Sequence, residues 1–283
     1  MNSEQVNRFF AWINERHAIY LRKKEGRPWP WTKDPILQTY KFTNVFRELD
    51  TETILLRENW REPYADHPHL WFAIAAYRAI GLYSTMRVLG FPNNPVRWLP
   101  RVSQTLQRWS IERRRVFTGA YIICFGVVPP GKSYIADVLL KGLWDARRTL
   151  EPRLREGSIQ GAFDALREHR GWGPFMAYEV VTDLRHTRYL NKATDIMTWA
   201  NIGPGSRRGI NRILRQPVKA TLSTTTGLSV MQELLARSDA ETHSYVPALE
   251  IRDIEHSLCE FDKYERARTG MGRPRALYRG GKK

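Results

Sequence analysis

Cysteine is almost absent from this chain, which contains only Cys124 and Cys259. Neither lies in a spacing used for zinc, so we expect a reduced protein without a zinc site. Long apolar runs are also missing. The first twenty residues mix charged with apolar side chains, and no later window is apolar over the length of a membrane span. These absences predict a cytoplasmic protein that is neither secreted nor inserted in a membrane.

Acidic residues are scarce as well. There are 29 Asp and Glu against 45 Lys and Arg, which gives a net charge of +16. An excess of this size attracts polyanions and speeds the encounter with them, so nucleic acid is the first partner to expect. Ten Trp and twelve Tyr could stack on bases or fill a core. The alternative is a basic protein whose charge serves solubility alone.

Alternating β patterns are rare, whereas apolar residues recur at helical spacing, which predicts an all-α protein. The apolar run at 120–128 fits either a strand or a buried helix. We expect residues 1–267 to form one helical domain or two closely packed subdomains, and residues 268–283 to form a basic flexible tail. The helical stretches are Val6 to Leu21, Leu70 to Leu89, Val96 to Trp109, Tyr134 to Leu150, Met231 to Ala236 and Tyr245 to Tyr264.

The most informative stretch is His169 to Leu184, where Gly171, Trp172 and Gly173 separate two helical patterns. So tight a turn predicts a helical hairpin. The two glycines would let the first amides of the second helix approach a DNA phosphate. Taken alone, Gly-x-Gly before a helix is a weak signal, and an ordinary tight turn explains it better in most proteins.

In its context, this stretch resembles the hairpin of the helix-hairpin-helix DNA glycosylases. The resemblance implies an all-α, DNA glycosylase-like fold with Asp195 as the catalytic carboxylate. Asp183 is the competitor, and for it a solvated or capping role is the better explanation. Phe175 stands where lyase-type members carry Lys, so Schiff-base chemistry is not expected. The cysteines that hold an iron–sulfur cluster in many relatives are missing.

Three longer strings resemble a phage family more closely, that of the α-glutamyl and putrescinyl thymine pyrophosphorylases, described as amino acid:DNA transferases. The strings are WPWTKDPILQTYKFTNVFRELD at 29–50, GWGPFMAYEVVTDLRHT with NIGPGSRRGINRI within 171–213, and RDIEHSLCEFDKYER at 252–266.

That resemblance implies a transferase acting on DNA in the cytoplasm of an infected bacterium. A separate DNA kinase would first place pyrophosphate on 5-hydroxymethyluracil, and this enzyme would replace the pyrophosphate with an amine. The amine would be glycine, another amino acid or a polyamine. No cofactor is required, although the sequence would allow a divalent metal.

The first string supplies candidate site residues. We expect a helix through Asp34–Asp50 that places Tyr40, Asn44 and Arg47 on one face. Asn44 would read a uracil edge and Arg47 would bind pyrophosphate. For Arg47, a surface pair with Glu48 or Asp50 is an equal alternative. Aromatic residues able to line a base pocket or replace an extruded base are Trp29, Trp31, Phe42 and Trp172, for which core packing is the alternative and, for Phe42, the stronger one.

Two further regions carry charge. Arg207 and Arg208 lie in a predicted Gly-rich bend at 203–209, before a helix at 210–214, and could bind DNA phosphate or pyrophosphate. The alternative there is a basic helix N-terminus. In the last helix, Glu260 and Asp262 could position the amine, although a solvated acidic face is the commoner explanation. The apolar stripe of this helix is Ile251, Ile254, Leu258 and Phe261.

The resulting mechanism has Asp195 as general base on the amine, or as the group that orients it, while arginines neutralise the departing pyrophosphate. Pro130-Gly131-Lys132-Ser133 superficially suggests a phosphate loop, and we reject nucleotide binding there. Two alternatives stay open: a monofunctional DNA glycosylase that uses Asp195 to activate water, and a catalytically silent DNA-binding module.

Overall fold

A computed structural model describes residues 1–118 and 131–278. Within these ranges the chain forms thirteen α-helices and no β-sheet, which confirms the predicted all-α class. Short π-helical segments occur at Arg57–Arg61 and Ile135–Leu140, and a 3₁₀ turn at Arg47–Leu49. The α-helices are α1 Ser3–Lys24, α2 Pro35–Thr39, α3 Thr51–Leu56, α4 Leu70–Ile80, α5 Tyr83–Leu89, α6 Pro95–Ile111, α7 Lys141–Asp145, α8 Arg147–Arg153, α9 Ile159–Arg167, α10 Pro174–Leu184, α11 Pro204–Ile213, α12 Thr224–Glu241 and α13 Ile251–Arg268.

Polar residues fix where several of these helices begin. The side chains of Asn2, Asn94, Ser158 and Ser223 each accept a hydrogen bond from an amide in the first turn of α1, α6, α9 and α12. Such caps satisfy amides that have no partner inside the helix. Capped by Ser223, α12 begins seven residues before Met231, where the sequence predicted the helix to start. The apolar pattern used for that prediction does not extend over the threonines of the first turn.

The chain divides into two compact units. Unit 1 comprises residues 1–50 and 197–283, and unit 2 comprises residues 51–196.

Unit 1 packs α1, α11 and α12 around α13. The predicted apolar stripe of α13 is confirmed, since Ile251, Ile254, Leu258 and Phe261 are all fully buried. The ring of Phe9 on α1 meets the ring of Phe261 edge to face at 5.5 Å. Helix α13 is therefore the centre of this unit, and its polar residues lie beside the core.

Unit 2 is organised around α4, in which all eleven residues are buried. It packs against α10 and the π-helical segment Ile135–Leu140. The predicted stretch from Leu70 to Leu89 is two helices, because Gly81 takes a left-handed conformation (φ +66°) that ends α4.

The segment predicted as a free tail is tied down over part of its length. The amide of Lys41 donates to the carbonyl of Ala276 at 2.9 Å, and the amide of Tyr278 donates to the carbonyl of Thr39 at 2.9 Å. Residues 276–278 therefore pair with the chain just after α2. The apolar run at 120–128 lies outside the described residues.

No helix in the described part of the chain combines the length and apolar character needed to cross a membrane.

Candidate functional site

A group of polar side chains joins α1, the loop 43–50 and α13 in unit 1, and we call it the loop–α13 cluster. Its described members are Arg16, Thr43, Asn44, Arg47, Asp50, Arg252, His256, Glu260 and Lys263.

The loop is irregular because α2 stops early. The prediction of a helix through Asp34–Asp50 is wrong: α2 ends at Thr39, and Tyr40 has extended backbone angles (φ −111°, ψ 148°). The backbone on either side of Tyr40 bonds to residues 276 and 278 instead of continuing a helix. Tyr40, Asn44 and Arg47 therefore do not form the predicted helical stripe.

Arg16 and Asp50 hold the loop from its two sides. Arg16 donates from Nε to the carbonyl of Thr43 (2.8 Å) and from Nη2 to Oδ1 of Asn44 (2.8 Å). Asn44 in turn donates from its backbone amide (3.0 Å) and Nδ2 (2.9 Å) to Oδ1 of Asp50. Burial lowers the pKa of Arg16, and the negative charges of Asp50 and Glu260 act in the other direction and raise it. Burial likewise raises the pKa of Asp50.

Helix α13 presents a polar face to Thr43. The backbone amide of Thr43 donates to Oε2 of the buried Glu260 at 3.0 Å, and its hydroxyl lies 2.8 Å from Nε2 of His256. Lys263 also donates to Oε2 of Glu260, at 2.9 Å. Because His256, Glu260 and Lys263 follow at helical intervals, they share this face of the helix.

His256 is the unusual member of the cluster. Burial holds its pKa well below the usual value, and the charges of Arg252, Arg47 and Lys263 lower it further. The imidazole is therefore neutral at neutral pH, and the three nearby cations favour this neutral form. A neutral histidine can accept a proton or a hydrogen bond, and the cations around it suit an anion.

Three residues selected from the sequence meet in this cluster: Asn44, Arg47 and Glu260. The expectation of a solvated acidic face is wrong for Glu260, which is 8% exposed. Sequence reasoning missed Arg16 and His256. His256 lies one turn before Glu260 in the RDIEHSLCEFDKYER string, and that spacing was the available signal.

Of the predicted substrate-binding aromatics, Trp31 lies near this region. Its ring contacts the ring of Tyr278 edge to face, with 5.8 Å between the centroids. Tyr278 in turn lies near Arg16 of the cluster: burial raises the pKa of Tyr278, and the positive charge of Arg16 opposes that rise. Trp31 donates from Nε1 to the carbonyl of Arg27 at 2.6 Å. Phe42 is buried against Trp12, with Lys263 over its ring, so it packs in the core.

Asp195 lies in unit 2, and its carboxylate contacts the N-terminus of α9. One carboxylate oxygen accepts hydrogen bonds from the hydroxyl of Ser158 (2.8 Å) and the amide of Gln160 (2.9 Å), and the other accepts from the amide of Ile159 (2.7 Å). This is the arrangement of a carboxylate that caps a helix. A role for Asp195 as general base stays a prediction from the resemblance.

The expected solvated or capping role of Asp183 is wrong. Its carboxylate is fully buried, and both oxygens accept hydrogen bonds from Arg78, one from Nη2 at 2.7 Å. Arg61 lies 3.9 Å away. Asp183 is part of a buried ion cluster in unit 2.

The predicted helical hairpin is present, since α9 and α10 contact each other and flank the turn at 171–173. Gly171 has φ +82°, and a Cβ there would lie 2.0 Å from the side chain of Leu139. Trp172 is 2% exposed and donates to the carbonyl of Leu139 at 3.2 Å, so it packs in the core and its predicted replacement of an extruded base is wrong. A place for Trp172 in the lining of a base pocket stays a prediction. Gly173 has open space around it and caps α10. A phosphate contact at Gly171 and Gly173 stays a prediction.

The predicted bend at 203–209 is instead the start of α11, which begins at Pro204. A Cβ on Gly205 would lie 2.2 Å from Sγ of Cys259, and one on Gly209 would lie 2.3 Å from the carbonyl oxygen of Leu258. The glycines therefore serve close packing of α11 on α13. Arg207 is exposed, and Arg208 donates from Nε to Asp262 at 2.7 Å.

The rejection of nucleotide binding near Gly131 needs correction. Gly126 lies five positions before Gly131, so residues 126–133 have the sequence Gly-Val-Val-Pro-Pro-Gly-Lys-Ser, which has the spacing of a phosphate-binding loop. Residues 126–130 lie outside the described part of the chain. Lys132 is described, and its ammonium donates to the carbonyls of Trp109 (3.0 Å) and Arg114 (2.6 Å).

Across residues 1–118 and 131–278, no group of three or more His, Cys, Asp or Glu side chains is placed to hold a metal ion.

Comparison with known proteins gives a family. The chain is 27% identical over 290 residues to a "5-hmdU DNA kinase" of Bacillus phage SP10, in a match that covers 90% of this chain and 44% of that protein. The chain thus spans less than half the length of this relative. No solved structure matches. The sequence pattern of the family "5-hmdU DNA kinase, helical domain" matches residues 3–272. Because that match covers nearly the whole chain, the protein belongs to the family of helical domains of 5-hmdU DNA kinases.

Proposed function

We propose that this protein acts in the hypermodification of thymine in phage DNA, on bases derived from 5-hydroxymethyluracil, and that it replaces pyrophosphate on such a base with an amine. The relative is named a "5-hmdU DNA kinase", and that name supports a base derived from 5-hydroxymethyluracil as the substrate. The resemblance of the three long strings to amino acid:DNA transferases supports the amine step. A net charge of +16 fits a DNA substrate.

The observation that carries the proposal is the loop–α13 cluster, where neutral His256 stands beside Arg47, Arg252 and Lys263. Departing pyrophosphate is a strong anion, and cations fixed near its position stabilise the charge that develops as it leaves. The incoming amine must lose a proton. The neutral imidazole can accept it once the pyrophosphate anion lies beside the ring, because that negative charge opposes the cations that lower the pKa of His256.

The reaction is a substitution at the methylene carbon of the base. The C–O bond to pyrophosphate breaks, and its electron pair leaves with the pyrophosphate oxygen. The amine nitrogen forms the new C–N bond and gives one proton to His256. Glu260, which already binds the ammonium group of Lys263, would hold the ammonium group of the incoming amine before it is deprotonated.

The test uses DNA that contains 5-hydroxymethyluracil, a pyrophosphate-forming kinase with ATP, and then this protein with a pool of amino acids and polyamines. Nucleosides are identified by mass spectrometry. We expect a thymidine adduct whose rate of formation falls about 100-fold in His256→Gln, the lower end for a lost general base. Arg237→Gln, in a partly buried pair with Glu241 on α12, should retain the activity.

Other products would point elsewhere. Free base with abasic DNA would favour a glycosylase, and DNA binding without any product would favour a silent module. An adduct that forms equally fast with His256→Gln would remove His256 from the mechanism.

A second candidate is DNA phosphorylation, because residues 126–133 have the phosphate-loop spacing. The contacts of Lys132 with two carbonyls argue against it, since a phosphate-loop lysine must reach phosphate. Incubation of the protein alone with ATP and 5-hydroxymethyluracil DNA tests it. Phosphorylated nucleoside that disappears in Lys132→Met would establish the kinase activity.

A further inference from the structure

Three arginines meet one carboxylate where α11 packs on α13. Arg208 and Arg212, one turn apart on α11, donate from Nε to Asp262 at 2.7 and 2.9 Å. Arg266, one turn after Asp262 on α13, has Nε 3.4 Å from the same oxygen that Arg208 contacts. Asp262 itself is completely buried. We call this group the Asp262 arginine cluster.

The close approach of the helices creates the cluster. Gly205 and Gly209 leave no side chain between α11 and α13, and a Cβ at Gly209 would collide with the backbone of Leu258. The backbones can therefore come close enough for side chains on both helices to share one carboxylate. The glycine-rich string thus acts indirectly, by positioning Arg208 and Arg212.

The cluster carries more positive than negative charge. Its three guanidinium groups share the single charge of Asp262, whereas the neighbouring Arg215 and Arg268 have Glu4 and Glu265 as partners. The side chains of Arg208 and Arg266 are 34% and 36% exposed. Two of the three arginines can therefore reach a ligand in solution.

Two buried donors in the cluster, Nη2 of Arg212 and Nε of Arg266, lack a hydrogen-bond partner among the described residues. Arg212 is only 8% exposed, and among the described residues its Nη2 has no hydrogen-bond acceptor. A buried N–H without an acceptor is destabilising and rare in native proteins. An anion held by Arg208 and Arg266 would lie beside the buried guanidinium group of Arg212 and offset its positive charge.

We propose that the Asp262 arginine cluster binds a phosphodiester of the DNA backbone. Guanidinium groups pair with phosphate oxygens through two parallel N–H donors, and Asp262 fixes these groups in advance. The sugar–phosphate backbone receives at least half of the hydrogen bonds in protein–DNA complexes. This inference rests on the proposed function for the choice of DNA as the polyanion.

The test measures binding of unmodified DNA, as a duplex and as a single strand, by fluorescence anisotropy over a range of salt concentrations. The double variant Arg208→Gln/Arg266→Gln should bind about tenfold or more weakly. Its plot of log affinity against log salt should be shallower by roughly 1 to 2, because each lost phosphate contact removes about one released counterion. The control Arg237→Gln should match the wild type. A double variant with the slope of Arg237→Gln would overturn the inference.

A second double variant tests whether weaker binding comes from the lost contacts or from a misfolded protein. Arg208→Lys/Arg266→Lys retains both charges but removes the paired donors, so it should keep the salt slope and bind more weakly than wild type. Inorganic pyrophosphate, added at constant ionic strength, should not displace the DNA. Displacement at low concentration from the wild type but not from Arg208→Gln/Arg266→Gln would mean that the Asp262 arginine cluster takes free pyrophosphate, and it would overturn the assignment to the backbone.

The experiment needs neither a modified base nor an amine, so it separates this inference from the proposed reaction. Loss of salt-dependent binding in the double variant would support the phosphate site even if no adduct formed. A wild-type protein that binds neither form of DNA would overturn the site.

Discussion

Both units place arginines around a buried aspartate, but only one of them leaves the arginines open to solvent. In unit 2, Asp183 pairs with Arg78 and Arg61, whose side chains are 4% and 5% exposed. In unit 1, Asp262 is equally buried, yet Arg208 and Arg266 are about one-third exposed. The same ion-pair chemistry is sealed in one unit and accessible in the other.

This difference separates architecture from binding. A sealed ion cluster cannot recruit water or counterions, so loss of one member leaves an uncompensated charge in the interior. An open cluster can recruit water and counterions. Loss of an exposed member should therefore change the free energy of unfolding little and the affinity for anions more. Mutations should therefore affect folding in unit 2 and DNA binding in unit 1.

The largest effect is expected at Asp183. Asp183→Asn leaves the buried Arg78 without its carboxylate and should lower the free energy of unfolding by about 3–5 kcal/mol, measured by chemical denaturation. The apolar triple variant Arg61→Met/Arg78→Met/Asp183→Leu should lose much less, because none of the three charges remains. A loss equal to or larger than that of Asp183→Asn would contradict the account of a sealed ion pair.

A smaller effect is expected at Gly209, where the open cluster depends on helix packing. Gly209→Ala places a methyl group 2.3 Å from the backbone oxygen of Leu258, and the overpacking should destabilise the protein by about 1–3 kcal/mol. DNA binding should weaken with it, because α11 carries Arg208. Gly142→Ala on α7 is the control, since a Cβ there meets nothing within 4 Å. This control should retain or slightly increase the stability.

How far the sequence could predict these features depends on the range of the interactions. The apolar stripe of α13 was predictable because helical periodicity is local, and so was the hairpin around Gly171. Gly205 and Gly209 suit a bend or a close helix contact equally well, and only the position of α13 decides between them. Asn44 and Arg47 were found through the family resemblance, although their helix does not exist. The Thr43–His256 contact joins residues 213 positions apart, which no local pattern reports.

The third prediction concerns pH and the loop–α13 cluster. Thr43 bonds His256, and Arg47, Arg252 and Lys263 face it, so the folded state resists protonation of the ring. Since the pKa is lower in the folded state than the ordinary 6.5, the unfolded chain binds the proton first as the pH falls below about 6.5. The stability that this histidine contributes is therefore present above that pH and is lost below it, by up to about 1.4 kcal/mol per pH unit. His256→Gln should show a flatter stability profile between pH 6.5 and lower values, and parallel profiles for variant and wild type would contradict this.

The smallest effect separates two accounts of Asp195, as a helix cap in unit 2 and as a general base. If it caps α9, Asp195→Asn and Ser158→Ala should each lower the stability by about 1 kcal/mol, the usual loss for a helix cap. The two losses should not add in the double variant, because both side chains serve the same helix N-terminus and bond to each other. Amine transfer, measured at a temperature where all three variants are folded, should then persist in Asp195→Asn as it does in Ser158→Ala. A general base would behave differently: Asp195→Asn alone would lose about 100-fold or more in rate while Ser158→Ala kept its activity. The catalytic role would then move from the loop–α13 cluster of unit 1 to unit 2.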